Sequence, residues 1–299
     1  MNIVKQTFSI RDLENLSGIK SHTIRIWEKR YGLLSPQRTD TNIRTYDLAN
    51  LQKLLNVILL YKNGVKISKI AKIPEKEISM RVKEIVVKKN VKNYAVNAFK
   101  LAMMDFDQAL FQKTYNGLLA ERSFREIFWD VFIPLLEELG ILWQTNTIGP
   151  AHEHFITHLI KQKIYTSTEK IQAMEPTKTD KTFVLFLPEN EIHEIGLLFI
   201  NYELILRGYK TIFLGQTMPV DFLSEIQHNF SNLVFLSYFT VAPSADKIKK
   251  YIREFAKKLN LNGTSQFWIL GRQTEFITPE MKGPSIHTFP SIHDAIQNL

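Results

Sequence analysis

The 299-residue chain is 44% apolar, with 11 Pro, 12 Gly, 8 His and no Cys. It has room for two or three packed domains. The lack of cysteine excludes disulfides, thiolate metal sites and a cysteine nucleophile, so any metal must sit on nitrogen or oxygen. No apolar run approaches the roughly 18 residues of a membrane span, and Met1 to Ile10 lacks the apolar stretch of a secretory signal; this predicts a cytoplasmic protein with no membrane partner. The net charge of +8 is uneven, because residues 1–90 hold 18 Lys and Arg against 8 Asp and Glu, a balance of +10, while the remainder carries −2. A basic end joined to a near-neutral body is the footprint of a polyanion binder, which gains affinity by displacing counterions along phosphates.

At that basic end Ser9-Ile10-Arg11-Asp12 reads as a helix cap, Gly18 as the stop of a short helix and Ser21 as the cap of a second one. Two helices so spaced predict a helix-turn-helix. A period of 3.6 places Ile24, Trp27 and Tyr31 on one side of the second helix and His22, Arg25, Ile26 and Lys29 on another, so one face packs while the other can meet a groove. Then come Gly32-Leu33-Leu34-Ser35-Pro36, Arg38, a polar turn at Asp40-Thr41-Asn42, Arg44-Thr45-Tyr46-Asp47, and a leucine-rich helix from Leu48 to Gly64. Residues 8–73, through Thr23-Ile24-Arg25, Glu28, the Gly32 to Arg38 string, Arg44, Tyr46 and Asn63-Gly64-Val65, resemble the winged helix-turn-helix of the MerR family. The resemblance implies binding to double-stranded DNA, with Thr23, Arg25 and Lys29 of the recognition helix at the major groove and Arg38, Arg44 and Tyr46 of the wing at the flanking backbone. Ile26 departs from the aromatic residue of many relatives.

In the connector, Glu75 to Asn90, Ile78, Val82, Ile85 and Val86 recur at helical spacing among Lys and Arg, which predicts an amphipathic linker helix. From Tyr94 to Thr168 the apolar residues keep a helical period, as in Phe124, Phe128, Phe132, Leu135, Leu136 and Leu139, with Gly140 as a stop and Pro150 opening a further helix. Four such segments predict an antiparallel bundle. Taken alone, the bundle is a structural domain whose Trp143 is core and whose Glu153 and His154 face solvent.

Trp143, in a polar-flanked connection, is followed after nine residues by Glu153-His154. This string resembles the helical cap of cobalamin-responsive MerR-type regulators, which implies that Trp143 covers the upper corrin face and that Glu153 and His154 bond the upper ligand, the adenosyl group of adenosylcobalamin. Photoreceptor members have a histidine next to the tryptophan. Gln144 stands here instead, which leaves His152 as the substitute imidazole for that side.

After a lysine-rich connector containing Pro176, strands and helices alternate: Thr182 to Leu187, His193 to Arg207, Thr211 to Gly215, Val220 to Phe230, Leu233 to Tyr238, Ser244 to Leu259, Gln266 to Gly271, Ile286 to Phe289 and Ile292 to Leu299. Such alternation predicts a doubly wound parallel sheet with its ligand beyond the carboxyl ends of the strands. The Glu191-x-His193-x-x-Gly196 string falls after the first strand. Over residues 180–290 it resembles the cobalamin-binding domain, which implies His193 as the cobalt ligand, Glu191 as its hydrogen-bond partner, Gly196 and Ser237 beside the cofactor, and Gly271 in a pair that admits the nucleotide tail. Here that pair is Gly271-Arg272, and the arginine either obstructs the tail or pairs with its phosphate.

The sequence therefore predicts an α winged helix-turn-helix over 1–75, a linker helix and helical bundle over 76–177, and a flavodoxin-like α/β domain over 178–299. The expected function is that of a DNA-binding transcriptional repressor, not an enzyme, whose oligomerisation (dimer or tetramer) and operator binding respond to adenosylcobalamin. A regulator using a vestigial module for protein contacts, and a corrinoid carrier for a methyltransferase or mutase, are the alternatives.

Overall fold

The computed structural model describes residues 7–75, 77, 78, 80–82, 92–227, 229–261 and 265–299. It divides into two compact units, Met1–Ile160 and Lys161–Leu299.

In the first unit α1 (Ile10–Ser17) opens with a capping box in which the Ser9 hydroxyl accepts from the Asp12 amide and the Asp12 carboxylate accepts from the Ser9 amide. It closes at Gly18, whose φ of 71° lies in the left-handed region. α2 (Ser21–Tyr31) corrects an expectation, since Ser21 is its first helical residue and not its cap. The Glu14 carboxylate of α1 takes the capping role: it accepts both from the Ser21 amide, at 3.1 Å, and from the Ser21 hydroxyl. The two short strands β1 (Gln37–Arg38) and β2 (Arg44–Thr45) pair antiparallel as a wing. α3 (Leu48–Lys62), capped by Asp47, and α4 (Ile67–Ile70) complete the module around buried Leu13, Leu16, Ile24, Leu51, Leu54 and Ile58.

The bundle follows as α5 (Lys92–Met104), α6 (Gln108–Leu119), a third segment and α9 (Pro150–Glu169). The third segment runs from α7 (Phe124–Ile127) through a π-helical turn at Phe128–Phe132 into α8 (Ile133–Gln144). The wider turn precedes Pro134, which has no N–H for the regular ladder. Gly140 does not end this helix, contrary to the sequence expectation. Glycine inside a helix costs about 1 kcal/mol, whereas burying Leu139 and Leu142, both nearly inaccessible, returns roughly 2 kcal/mol each. Phe99, Phe111, Phe128 and Phe132 fill the core, with the Phe99 and Phe111 rings 4.7 Å apart. Of the predicted linker helix, Ile78 and Val82 are buried, while Ile85 and Val86 lie outside the described residues.

The second unit holds a five-stranded sheet in the order β4-β3-β5-β6-β7, parallel throughout. Its strands are β3 (Lys178–Phe186), β4 (Tyr209–Gly215), β5 (Leu233–Tyr238), β6 (Gln266–Leu270) and β7 (Ile286–Phe289). α10 (Ile195–Leu206) crosses from β3 to β4, and α12 (Ala245–Lys258) from β5 to β6. Between β4 and β5 the predicted helix is only a 3-10 turn (Val220–Leu223) and the short α11 (Ser224–Gln227); α13 (Ile292–Gln297) ends the chain. Val184, Phe186, Phe235, Phe267 and Ile269 pack beneath Ile248, Ile252 and Phe255 of α12. α10 is buried nearly all round from Leu197 to Leu204, which explains why its sequence is apolar with little periodicity. Because β4 and β5 flank β3 on opposite sides, the strand order reverses there, and the crevice at the carboxyl ends of β3 and β5 is the topological switch point.

Candidate cofactor site and DNA-binding surface

On α2, Ile24 and Trp27 are buried, the latter edge-on to Tyr61 with ring centroids 5.3 Å apart. His22, Arg25, Ile26 and Lys29 are exposed, and Thr23 is half-buried. The helix thus presents a polar, basic face. The wing is fixed to it through Glu28, whose carboxylate accepts from Arg44 Nε at 2.8 Å and from the Tyr46 hydroxyl at 2.9 Å. Tyr46 is fully buried, not on the wing surface where the resemblance puts it. Burial, then the Glu28 carboxylate, push its phenol well above the ordinary tyrosine range. Arg38 is exposed and donates to the Asn42 side chain at 2.5 Å, so each of the two arginines of the wing has a side-chain partner.

At the far end of the bundle Trp143 occupies the last turn of α8, not a loop, and is 55% exposed. The side chain of Gln144 lies outside the described set. Glu153 and His154 stand in the first turns of α9, His154 exposed, with Nε2 and a carboxylate oxygen 4.0 Å apart. His152 is placed otherwise than as a substitute cobalt ligand: it is buried, its ring 4.8 Å from that of Phe106.

Two contacts absent from the sequence reading join this bundle to α1. Asn15 Nδ2 donates to Thr147 Oγ1 at 2.8 Å. The buried Lys100 donates to the Leu16 carbonyl at 2.9 Å and to Glu138 at 2.7 Å. A lysine inside the apolar run Ala98 to Met104 was the available signal, since a buried ammonium requires an acceptor.

At the sheet edge Glu191 is fully buried and His193 is 49% exposed. Glu191 Oε1 accepts from His193 Nδ1 at 2.5 Å and from the amides of Ile192 and His193; Oε2 accepts from the amides of Thr240, Val241 and Ala242 at 2.7 to 3.1 Å. Burial alone would raise the carboxyl's pKa, but the His193 and Val241 bonds and those that follow outweigh it and hold it at about 2. One carboxylate therefore ties the loop after β3 to the loop after β5, across the switch point. With Nδ1–H donated to a carboxylate, Nε2 is the acceptor nitrogen of the neutral ring. Ile192 and Val241, whose amides bind the same carboxylate, are 56% and 57% exposed and give the edge an apolar rim. Among the described residues no group of three or more His, Cys, Asp or Glu is placed to hold a bare metal ion. A single oriented imidazole suits an ion whose equatorial positions a macrocycle fills.

Behind this edge the crevice is not open. The Tyr238 ring lies between Gly196 and Gly271, where a Cβ on Gly196 would come within 2.6 Å of Tyr238 Cε2 and one on Gly271 within 2.9 Å of Cε1. Gly271 also has φ 101°, which disfavours any side chain. Arg272 is exposed, so it is Tyr238 that fills the space. Ser237 is fully buried and its hydroxyl has no hydrogen-bond partner among the described residues, an orphan that a ligand group would satisfy. The edge thus presents one oriented imidazole beside an apolar rim, while the space behind it is filled.

Residues 8–77 match the family described as MerR HTH family regulatory protein, and residues 95–166 match the B12 binding domain. The HTH-type transcriptional repressor CarH of Myxococcus xanthus is 26% identical over 230 residues, 75% of each chain. The repressor CarA of the same organism is 25% identical over 220 residues, 71% of this chain and 69% of its own. The fold resembles that of the Methanosarcina barkeri monomethylamine corrinoid protein, with TM-score 0.57, 13% identity, and 70% of this chain and 98% of that one covered. The chain thus joins a segment that matches the MerR HTH family to one that matches the B12 binding domain, and over most of its length it is similar to transcriptional repressors.

Proposed function

We propose that the protein is a transcriptional repressor whose assembly into dimers or tetramers, and hence whose grip on its operator, is set by adenosylcobalamin. The observation that supports this most is the half-exposed His193 imidazole held by a buried carboxylate at the carboxyl edge of the sheet. Bound there, the cofactor would supply a cobalt ion. His193 would hold it through Nε2, Glu191 fixing the tautomer, and Trp143, Glu153 and His154 would serve the adenosyl group. Thr23, Arg25, Lys29, Arg38 and Arg44 would contact DNA, and Tyr46 would hold the wing through Glu28. Regulation follows if the ligand favours one assembly state over another, since only differential affinity shifts an equilibrium. Its place of action is the cytoplasm.

The test is direct. Purified protein mixed with adenosylcobalamin in the dark is expected to turn red and keep its colour through gel filtration, with a change in elution volume. The His193→Ala variant is expected to lose at least about tenfold in affinity. A colourless protein that still shifts its own promoter fragment would overturn the corrinoid part. That outcome would support a second reading, to which the filled crevice at Tyr238 lends weight, in which the module works through protein contacts alone.

A further inference from the structure

A doubly wound sheet takes its ligand into the crevice at the switch point, and in this chain one aromatic ring already occupies it. Tyr238 is the last residue of β5, its ring wedged between Gly196 at the start of α10 and Gly271 after β6. A Cβ on Gly196 would lie 2.6, 2.8 and 3.0 Å from three atoms of that ring. On the other side a Cβ on Gly271 would meet Cε1 at 2.9 Å and the Phe239 carbonyl oxygen at 2.6 Å. Two glycines from different elements therefore leave room for the ring and for nothing further. Close-packed interiors do not admit a second planar group into such a space without displacing the first.

The axial side is not blocked in this way. His193, Ile192 and Val241 are all about half-exposed at the rim, and the Glu191 carboxylate that holds them points its oxygens at loop amides, not into the crevice. A flat tetrapyrrole can be accepted at the rim, whereas a long appended base would have to enter where the phenol ring sits.

Resting on the corrinoid reading above, we propose that Tyr238 is the specificity-determining residue of the cofactor domain: its ring takes the place of a nucleotide tail, so that the protein recognises the corrin ring and upper ligand and accepts tail-less corrinoids of the cobinamide class as well as complete cobalamins. Ser237 and Gly271 retain the features of a tail path, and Tyr238 closes it.

The 299-residue protein is titrated in the dark with adenosylcobalamin and with adenosylcobinamide, following the visible spectrum, as wild type, Tyr238→Ala and Tyr238→Phe. Wild type is expected to bind the two corrinoids within about threefold of each other. Tyr238→Ala, with the crevice opened, is expected to gain about tenfold or more for adenosylcobalamin and less than about threefold for adenosylcobinamide. Tyr238→Phe, which keeps the ring, is expected to behave as wild type. A wild-type preference for adenosylcobalamin of about tenfold or more would overturn the proposal, and this arm needs no variant to fold. So would a folded Tyr238→Ala with no gain. If wild type binds neither corrinoid, the reading of the site as a corrinoid site fails first, and that outcome is distinct from the others.

Discussion

Asn15 of α1 and Thr147, in the turn between α8 and α9, are joined by a 2.8 Å hydrogen bond across 132 positions of sequence, and Thr147 is fully buried. The turn that contains Thr147 begins just after Trp143 and ends just before the helix that carries Glu153 and His154. α1 in turn supplies Glu14, which caps the recognition helix at Ser21. A short chain of bonded groups thus runs from the tryptophan end of the bundle to the start of α2. Such a chain can carry a change of state only if it has two arrangements that the ligand distinguishes.

Replacing Asn15 by Ala removes the donor, while Thr147 keeps its contact with the Thr145 hydroxyl at 3.0 Å. The expected cost is about 1 kcal/mol of stability. If the bond transmits the ligand's effect, the change in operator affinity caused by adenosylcobalamin should shrink by about threefold or more, while ligand affinity is held. Thermal unfolding and mobility shifts with and without ligand measure both. An unchanged ligand response in a destabilised variant would limit the bond to a structural role.

Lys100 gives a second prediction about the same junction. Its ammonium is buried between the Leu16 carbonyl and Glu138, but Glu138 itself is about half-exposed. Breaking a buried pair usually costs about 3–5 kcal/mol because the partner is stranded. Here the stranded carboxylate would remain in water, so Lys100→Met is expected to cost only about 1–2 kcal/mol, seen as a lower urea midpoint. A loss beyond about 4 kcal/mol would show that the Leu16 carbonyl cannot find another partner.

Which features were legible in the sequence follows from the range of the forces that make them. Ser9 and Gly18 act on their own helix ends, and the alternation of apolar segments from Thr182 onward dictates a parallel sheet, so these elements stand where the residues predict. Gly140 misled because burial of Leu139 and Leu142, a tertiary effect, exceeds a local helix penalty. Ser21 misled because its cap comes from Glu14, seven residues earlier. The Glu191–His193 pair was readable because both partners lie in one string, whereas the three amides of residues 240–242 that complete the carboxylate's shell come from another loop. Tyr238 is not legible in the sequence for a related reason: its size matters only because Gly196 and Gly271, distant in sequence, converge on its ring.

Glu28 is the hinge of the wing. Glu28→Ala leaves the buried Tyr46 hydroxyl without its acceptor and frees Arg44 from the helix. The stability cost is expected at about 2 kcal/mol, the scale of an unsatisfied buried donor. Operator affinity should fall about tenfold as the wing arginine loses its fixed geometry. Glu28→Gln, which keeps an acceptor for Tyr46 while removing the charge beside Arg44, should recover much of the stability. Chemical unfolding and a mobility shift at fixed salt separate the two effects; equal stability losses in both variants would show that the charge, and not the hydroxyl's partner, matters.

The last prediction concerns acid. Glu191 has its carboxyl held at about 2 in the folded protein against 4.5 for the ordinary side chain. A depressed carboxyl stabilises the fold where it is ionised in both states, so its contribution is complete above pH 4.5 and is lost as pH falls toward 2. Five of its six hydrogen-bond donors are backbone amides that do not titrate, which ties the loss to the carboxyl itself. Glu191→Gln substitutes an amide whose NH2 must face donors, and at pH 7 it should cost roughly 3 kcal/mol relative to wild type. Because the variant cannot be protonated, the gap should narrow by about 2 kcal/mol between pH 7 and pH 3. Urea unfolding at the two pH values reads this difference, and a gap that stays constant or widens on acidification would mean that the carboxyl is not held in its charged form by these bonds.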